Sequence, residues 1–457
     1  MFRATIFLRR DLLPALTRLW NPVPQTAFNP RPFSNATYLT GQTAGLNGEL
    51  SVAEPVLKES LPPSSFVDAL KEMKPNHEDW SRPAPTPFDD LVFFHTELLW
   101  HQTAGPMMFG VTKANNSVCV RITDYSNSVP ETKQLTRGMT WLKIPVTKYT
   151  HLAEPECLSR CQLELTAKWS DIEPQPLEGP PPLRVLSFDL ECLGRENVFP
   201  QPELDPVIQI SNVVSILGDP APPFIRNVFT LGTCSEIAGA SVISFDDEAA
   251  LLQRWSEFVQ QVDPDLVIGY NISGFDLPYL LGRAKALQLS RFAFLGRLID
   301  IETARVRMVK YTSSRGSTRS WQDIPLPGRL QLDLMHYVRW EGGPTSKQGL
   351  SLNAVASRVL GEQKEDVHFT AIRGLQTGST DTRRQLAVYC LKDAYLPLRL
   401  LEVLGCVAQY TKQVHEKGIQ FNSVFPDYDD TRTEELARLA EERGGSISDQ
   451  VPIHAGK

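Results

Sequence analysis

Nowhere in the chain do about 18 apolar residues run together, the length a helix needs to cross a membrane, so a helical membrane span is excluded. Paired metal-binding cysteines are missing too: the seven cysteines, at positions 119, 157, 161, 192, 234, 390 and 406, are odd in number and form no CxxC. That spacing indicates no zinc site and makes reduced thiols the default. The chain also lacks a net positive charge. At −7 it is no basic nucleic-acid binder as a whole, so any DNA or RNA contact must rest on a local basic patch or on metal ions. What is present is an ordinary mix, 42% hydrophobic and 22% charged over 457 residues, enough for two or three domains.

Residues 1–40 set Arg3, Arg9, Arg10, Arg18 and Arg31 against a single acid, Asp11. Basic, amphipathic and acid-poor, this stretch reads as a mitochondrial presequence, with Arg31-Pro-Phe33 before Ser34 as a matrix-peptidase site, or as a disordered basic tail. Residues 41–87 are rich in Pro, Ser and Gly and read as a linker, with order expected from about Phe88. Over 88–180, runs such as Leu91-Val-Phe-Phe94, Ser117-Val-Cys-Val-Arg-Ile122, Met139-Thr-Trp-Leu-Lys-Ile144 and Cys161-Gln-Leu-Glu-Leu-Thr166 have strand character. They predict a small β-rich domain closed by the proline-rich 173–182.

Within a second domain expected over 181–410, strands and helices alternate from 183 to 289. Apolar strands are expected at 183–192, 206–216, around Val228 and at Asp265–Tyr270. A helix capped by Asp246 or Asp247 and running to Gln261 carries one stripe of Leu251, Leu252, Trp255, Phe258 and Val259. This alternation predicts an α/β sheet with helices packed on it.

Three segments carry candidate chemistry. In Leu183-Arg-Val-Leu-Ser-Phe-Asp-Leu-Glu-Cys192, Asp189 and Glu191 fall on the same face of a strand. Adjacent carboxylates repel unless a shared proton or a hard cation such as Mg²⁺ or Mn²⁺ relieves them, although a solvated strand end would also tolerate them. In Asn271-Ile-Ser-Gly-Phe-Asp276, the second acid sits where a strand yields to a helix begun by Pro278, as a plain cap or as a functional group. In the amphipathic stretch 382–404, ended by Gly405, Tyr389 and Asp393 share a helix face, and an Asp among so many apolar residues is costly to bury without a partner or metal.

The order Asp189-x-Glu191, Asn271-x3-Phe275-Asp276, Tyr389-x3-Asp393 resembles the DEDDy 3′-to-5′ exonucleases. The wording of Ser187-Phe-Asp-Leu-Glu-Cys192, Asp205-Pro-Val-Ile-Gln-Ile210, Gly269-Tyr-Asn-Ile272, Phe275-Asp-Leu-Pro-Tyr-Leu280 and Tyr389-Cys-Leu-Lys-Asp-Ala-Tyr-Leu-Pro-Leu-Arg399 is similar to family B DNA polymerases. Leu360-Gly-Glu-Gln-Lys-Glu-Asp-Val367 resembles the delta branch of that family. The resemblance is near-continuous from about Pro182 to Leu404. It implies a ribonuclease H-like exonuclease domain, a mixed sheet with flanking helices, preceded by a small, incomplete β-rich N-terminal domain. It further implies that Asp189, Glu191, Asp276 and Asp393 hold two divalent ions, Mg²⁺ or Mn²⁺, and that Tyr389 aims the attacking water. Phe275 would wedge against the terminal bases and Asn271 would contact the strand.

In 304–319 the residues Arg305, Arg307, Lys310, Arg315 and Arg319 surround a Ser-Arg-Gly turn. The region resembles the family's β-hairpin that parts primer from template, with phosphate binding or a solvated loop as its physical readings. Asp333 ends another apolar strand and reads as structural. The implied partners are single-stranded DNA or a frayed primer 3′ end and delta accessory subunits, with no membrane. The family's palm motifs do not occur; after Gly405 come only an acidic tail, 411–457, with a turn at Asp427-Tyr-Asp-Asp-Thr431 and a charged helix near Thr433–Arg443. The chain is therefore not expected to polymerise DNA by itself. The delta resemblance implies the nucleus, and the amino terminus the mitochondrion.

Overall fold

In the computed structural model, residues 66–73, 76–86, 89–124, 138–177, 181–196, 198–301, 307–312, 318–341, 349–362 and 369–424 are described. The expected presequence, the first part of the linker and residues 425–457 of the tail, with its turn and helix, lie outside them, whereas residues 411–424, read as the start of that tail, continue the domain and bury Val414, Ile419 and Phe421.

Short apolar runs in the amino-terminal half pair into one sheet of β1 (Leu91–His101), β2 (Gly105–Thr112), β3 (Ser117–Ile122), β4 (Thr140–Ile144), β5 (Tyr149–His151), β6 (Leu163–Ala167) and β7 (Glu173–Pro174), in the order β5-β6-β3-β2-β1-β4-β7. Strand β2 was not among the runs read as strands; Gly105, Pro106 and Gly110 interrupt its apolar pattern. Gly110 is instead where β2 closes on β1, for a Cβ there would lie 2.3 Å from the Phe94 carbonyl oxygen.

The second sheet comprises β8 (Arg184–Cys192), β9 (Val207–Ile216), β10 (Ile225–Leu231), β11 (Ser241–Phe245) and β12 (Leu266–Gly269). Next come β13 (Arg307–Thr312) and β14 (Thr318–Asp323), a separate antiparallel hairpin, and then β15 (Leu330–Asp333). The six main strands run β11-β10-β9-β8-β12-β15; β8–β9 and β9–β10 are antiparallel, whereas β8–β12, β12–β15 and β10–β11 are parallel. This is the mixed sheet expected of a ribonuclease H-like exonuclease domain.

The helices are α1 (Phe66–Glu72), α2 (Glu248–Val262), α3 (Asp276–Ala286), α4 (Leu334–Glu341), α5 (Leu352–Leu360), α6 (Phe369–Thr377), α7 (Thr380–Leu404) and α8 (Cys406–Lys417). Helix α2 begins at Asp247, whose carboxylate accepts from the Ala250 N–H at 2.8 Å. Its apolar stripe packs Trp255 and Phe258 with Phe188 and Leu190 of β8, on one side of the sheet. On the other side Leu183 and Val185 pack with Ala387, Leu391 and Ala394 of α7, which stops at Gly405 in the left-handed region (φ 60°). Alternation along β8 thus hands Phe188 and Leu190 to α2 and leaves Asp189 and Glu191 on the α7 face.

One boundary differs from expectation. The first described element, α1 from Phe66, falls within the stretch read as linker: it buries Leu70, and the Arg226 guanidinium donates to the Met73 carbonyl at 2.8 Å. The Asn76 side chain accepts from Arg226 N–H, also at 2.8 Å, and His77 N–H donates to the Phe224 carbonyl at 2.7 Å. Isolated anchors such as Leu70 and Trp80, set among prolines and polar residues, carry no periodic signal; their packing partners lie some 150 residues downstream in sequence.

Candidate active site at the end of the central strands

Strand β12 ends at Gly269, where a Cβ would come within 2.9 Å of the Phe188 carbonyl oxygen, so the glycine keeps β12 close to β8. Asn271 then adopts φ 69°, turning the chain back toward α3. Its N–H and that of Ser273 donate to the two oxygens of Asp333 at 2.8 and 3.0 Å, and Asp333 also accepts from Met335 N–H at 3.0 Å. Asp333, which the sequence suggested was structural, thus ties the Asn271–Phe275 loop to the end of β15.

The loop delivers Asp276, 3% exposed, to the carboxyl end of β8, where its carboxylate accepts from the N–H of Leu190. Leu190 is the residue between Asp189 and Glu191. Burial first, and then the charge of Asp333, push the Asp276 carboxyl up to about 8; Asp393 adds to this, and the Leu190 N–H opposes it. From α7, the Cys390 thiol donates to the Asp189 carbonyl and carboxylate oxygens, each at 3.5 Å. Burial and the charges of Asp189, Glu191 and Asp393 push that thiol well up. Asp393 is buried, one helical turn beyond the half-buried Tyr389.

The charges of Asp189, Glu191 and Asp393 act on the Cys390 thiol and that of Asp393 on Asp276, so the four carboxylates lie around β8, α3 and α7. Among the described residues, no three His, Cys, Asp or Glu side chains already stand close enough to hold an ion. Phe275 lies beside Asp276, with its ring centroid 5.3 Å from Tyr279. It also meets Phe199 edge to face at 5.5 Å. Phe199 was overlooked in the sequence, yet it is 73% exposed on a segment that Asp205 holds in place by accepting from Arg195 Nε at 3.1 Å and Gln201 N–H at 2.8 Å. An aromatic residue set among polar ones and prolines between two recognisable strands was the available signal. Of the basic hairpin, Arg307, Lys310 and Arg319 fall on β13 and β14, while Arg305 and Arg315 lie outside the described residues.

A mixed sheet with helices packed on both of its faces is the ribonuclease H-like fold of the polymerase-associated exonuclease domains. Residues 133–355 match the family model described as DNA polymerase family B, exonuclease domain.

Its relatives are more particular. The chain is 45% identical over 289 residues to the DNA polymerase delta catalytic subunit of Schizosaccharomyces pombe, covering 62% of this chain and 26% of the relative. It is 47% identical over 283 residues to that of Dictyostelium discoideum, covering 62% and 25%. The chain thus spans about a quarter of the length of these curated relatives. A family B DNA polymerase from Pyrobaculum calidifontis superposes with a TM-score of 0.49 at 19% identity, over 78% of this chain and 51% of that one, too loosely to decide anything further.

Proposed function

We propose that this chain is a 3′-to-5′ exonuclease of the proofreading type, hydrolysing the terminal phosphodiester of single-stranded DNA or of a frayed primer end to release nucleoside 5′-monophosphates. The observation that carries this reading is the buried Asp276 carboxylate held on the N–H between Asp189 and Glu191, within a domain of this nuclease family.

The donor set suits hard divalent ions, since all four ligands offered are carboxylate oxygens and one of them, Asp276, is pushed toward its protonated form first by burial and then by the charges of Asp333 and Asp393, which a cation would offset. Asp189, Glu191, Asp276 and Asp393 would hold Mg²⁺ or Mn²⁺, drawn together by side-chain rotation. Two such ions supply Lewis acidity, activating a water and offsetting charge on the departing 3′-oxygen. Tyr389, as a neutral phenol, orients the attacking water by hydrogen bonding. Water oxygen bonds to phosphorus as the bond to the 3′-oxygen of the preceding nucleotide breaks. Phe275 and the exposed Phe199 offer faces for the terminal bases, a sequence-tolerant contact that suits editing, and Asn271 contacts the strand beside them. Arg305, Arg307, Lys310, Arg315 and Arg319 contact backbone phosphates from the hairpin.

A second reading follows from the span of the match: the chain is the exonuclease portion of a DNA polymerase delta catalytic subunit, with accessory subunits as partners and a nuclear role in replication. Nothing in the comparisons favours the mitochondrial alternative. A binding module that grips single strands without turnover is the outcome to be excluded. Purified protein is incubated with 5′-labelled single-stranded DNA and Mg²⁺ or Mn²⁺, beside an EDTA control and the double variant Asp189→Ala, Glu191→Ala. Stepwise shortening from the 3′ end, lost in both controls, supports the exonuclease; DNA bound but left intact sinks it.

A further inference from the structure

Arg358 is a cation without a counter-charge among the described residues. It lies on α5, half-buried, with Nε and Nη2 enclosed and without a hydrogen-bond acceptor, while Nη1 reaches only the Gly349 carbonyl at 3.5 Å. The next carbonyl, that of Leu350, accepts from the Tyr270 hydroxyl at 2.5 Å, so Tyr270 and Arg358 meet on adjoining peptides. Tyr270 immediately precedes the loop that carries Asn271, Phe275 and Asp276. A second cation, the exposed Arg339 of α4, makes only a 3.7 Å contact to the Met335 sulfur. Burial and the charge of Asp333 push the Tyr270 phenol up, and both Arg358 and Arg339 pull it back, which sets the two guanidinium groups near the same ring. Among the described residues neither arginine pairs with an Asp or Glu.

Enclosed guanidinium donors that meet no acceptor are costly, and the acceptor a planar fork fits best is a pair of carboxylate or phosphate oxygens. Because no carboxylate among the described residues fills the place, and the site adjoins the loop leading to the candidate active centre, an anion that arrives with the substrate fits. We propose that Arg358, assisted by Arg339, binds a backbone phosphate of the single strand on its way to the Asn271–Asp276 loop. This rests on the exonuclease reading and adds a contact that lies off the reacting centre.

The test is binding of a fluorescein-labelled oligothymidylate to the full chain in EDTA, where cleavage stops, across a series of KCl concentrations. Arg358→Ala is expected to weaken binding about tenfold at low salt and to lower the slope of log affinity against log salt by about 0.7, the share of one phosphate on a single strand. With Mg²⁺ present its KM for the oligonucleotide rises while kcat holds. Hydrolysis of the p-nitrophenyl ester of thymidine 5′-monophosphate, too short to reach the arginines, is unchanged. Arg358→Lys retains most of the slope, and Arg339→Ala loses a smaller part of it; these two variants carry the test should Arg358→Ala fail to fold. Equal affinity and slope in wild type and variants overturn the proposal. So does inorganic phosphate that raises the melting temperature of wild type but not of Arg358→Ala while the DNA slope stays the same, because the site then takes free phosphate. A wild type that binds the strand but does not cut it sinks the exonuclease and leaves the slope to decide this site; one that does not bind sinks both.

Discussion

The two ends of β12 carry buried acids in opposite company. Before the strand, Asp263 and Asp265 meet Arg82, Arg297 and Arg329 in five ion pairs of 2.7–2.9 Å, with both acids and all three arginines buried. Burial alone would raise the Asp263 carboxyl, but the charges of Arg297, Arg82 and Arg329 hold it well below the usual carboxylate range. After the strand, Asp276 meets Asp333 and Asp393, and its carboxyl is pushed up to about 8. One end is neutralised from within the chain and is structural; the other is left with acid against acid, a state that a cation relieves. Burial is common to both, so what separates scaffold from candidate site is the sign of the neighbours.

That contrast can be broken at either end. Asp276→Asn should lower exonuclease activity by roughly 1,000-fold or more, about 4 kcal/mol of barrier. It should not destabilise the metal-free protein. Since the folded Asp276 carboxyl lies at about 8, above the ordinary aspartate value of 3.8, its stabilising contribution is present below about pH 4 and is lost as pH rises toward 8. Urea midpoints measured from pH 5 to 8 should therefore fall more steeply for wild type than for Asp276→Asn, and Mn²⁺ should raise the midpoint of wild type alone. Equal slopes, with no response to Mn²⁺, would show that the acids at this end are not strained against each other.

At the neutralised end Asp263→Ala strands buried arginines and should cost about 3–5 kcal/mol, read from urea unfolding. Any fall in activity there should follow the folded fraction. A buried acid of intermediate kind sharpens the comparison: Glu97, in β1, accepts from Gly328 N–H at 2.8 Å and Asn422 Nδ2 at 3.0 Å, and burial pushes it up to about 7 despite those bonds. Its contribution is full below about pH 4.5 and lost as pH passes 7, so Glu97→Gln should remove up to about 3 kcal/mol of pH dependence from that window. Smallest is Asp247→Ala, at the cap of α2 and away from both clusters. It should cost about 1 kcal/mol of stability and leave activity per folded molecule unchanged.

Much of the frame was legible. The 2-residue spacing of Asp189 and Glu191 and the 4-residue spacing of Tyr389 and Asp393 are local facts that strand and helix geometry convert directly into shared faces. The caps at Asp247 and Gly405 were readable for the same reason. Phe199, Arg358 and the role of Asp333 were not, because each takes its meaning from a group distant in sequence or from solvent. Residues 66–86 were misread as linker because their order comes from partners about 150 residues away rather than from their own pattern.

The sequence by itself determined strands β8, β9, β10 and β12, helix α2, and the shared faces of Asp189 with Glu191 and of Tyr389 with Asp393, since periodicity and motif spacing are properties of neighbouring residues. Only the tertiary structure decided which buried acids are neutralised. Coulomb interaction depends on distance in space, and the fold brings Arg82, Arg297 and Arg329 to one end of β12 and Asp333 and Asp393 to the other, while Arg358 meets no acid among the described residues.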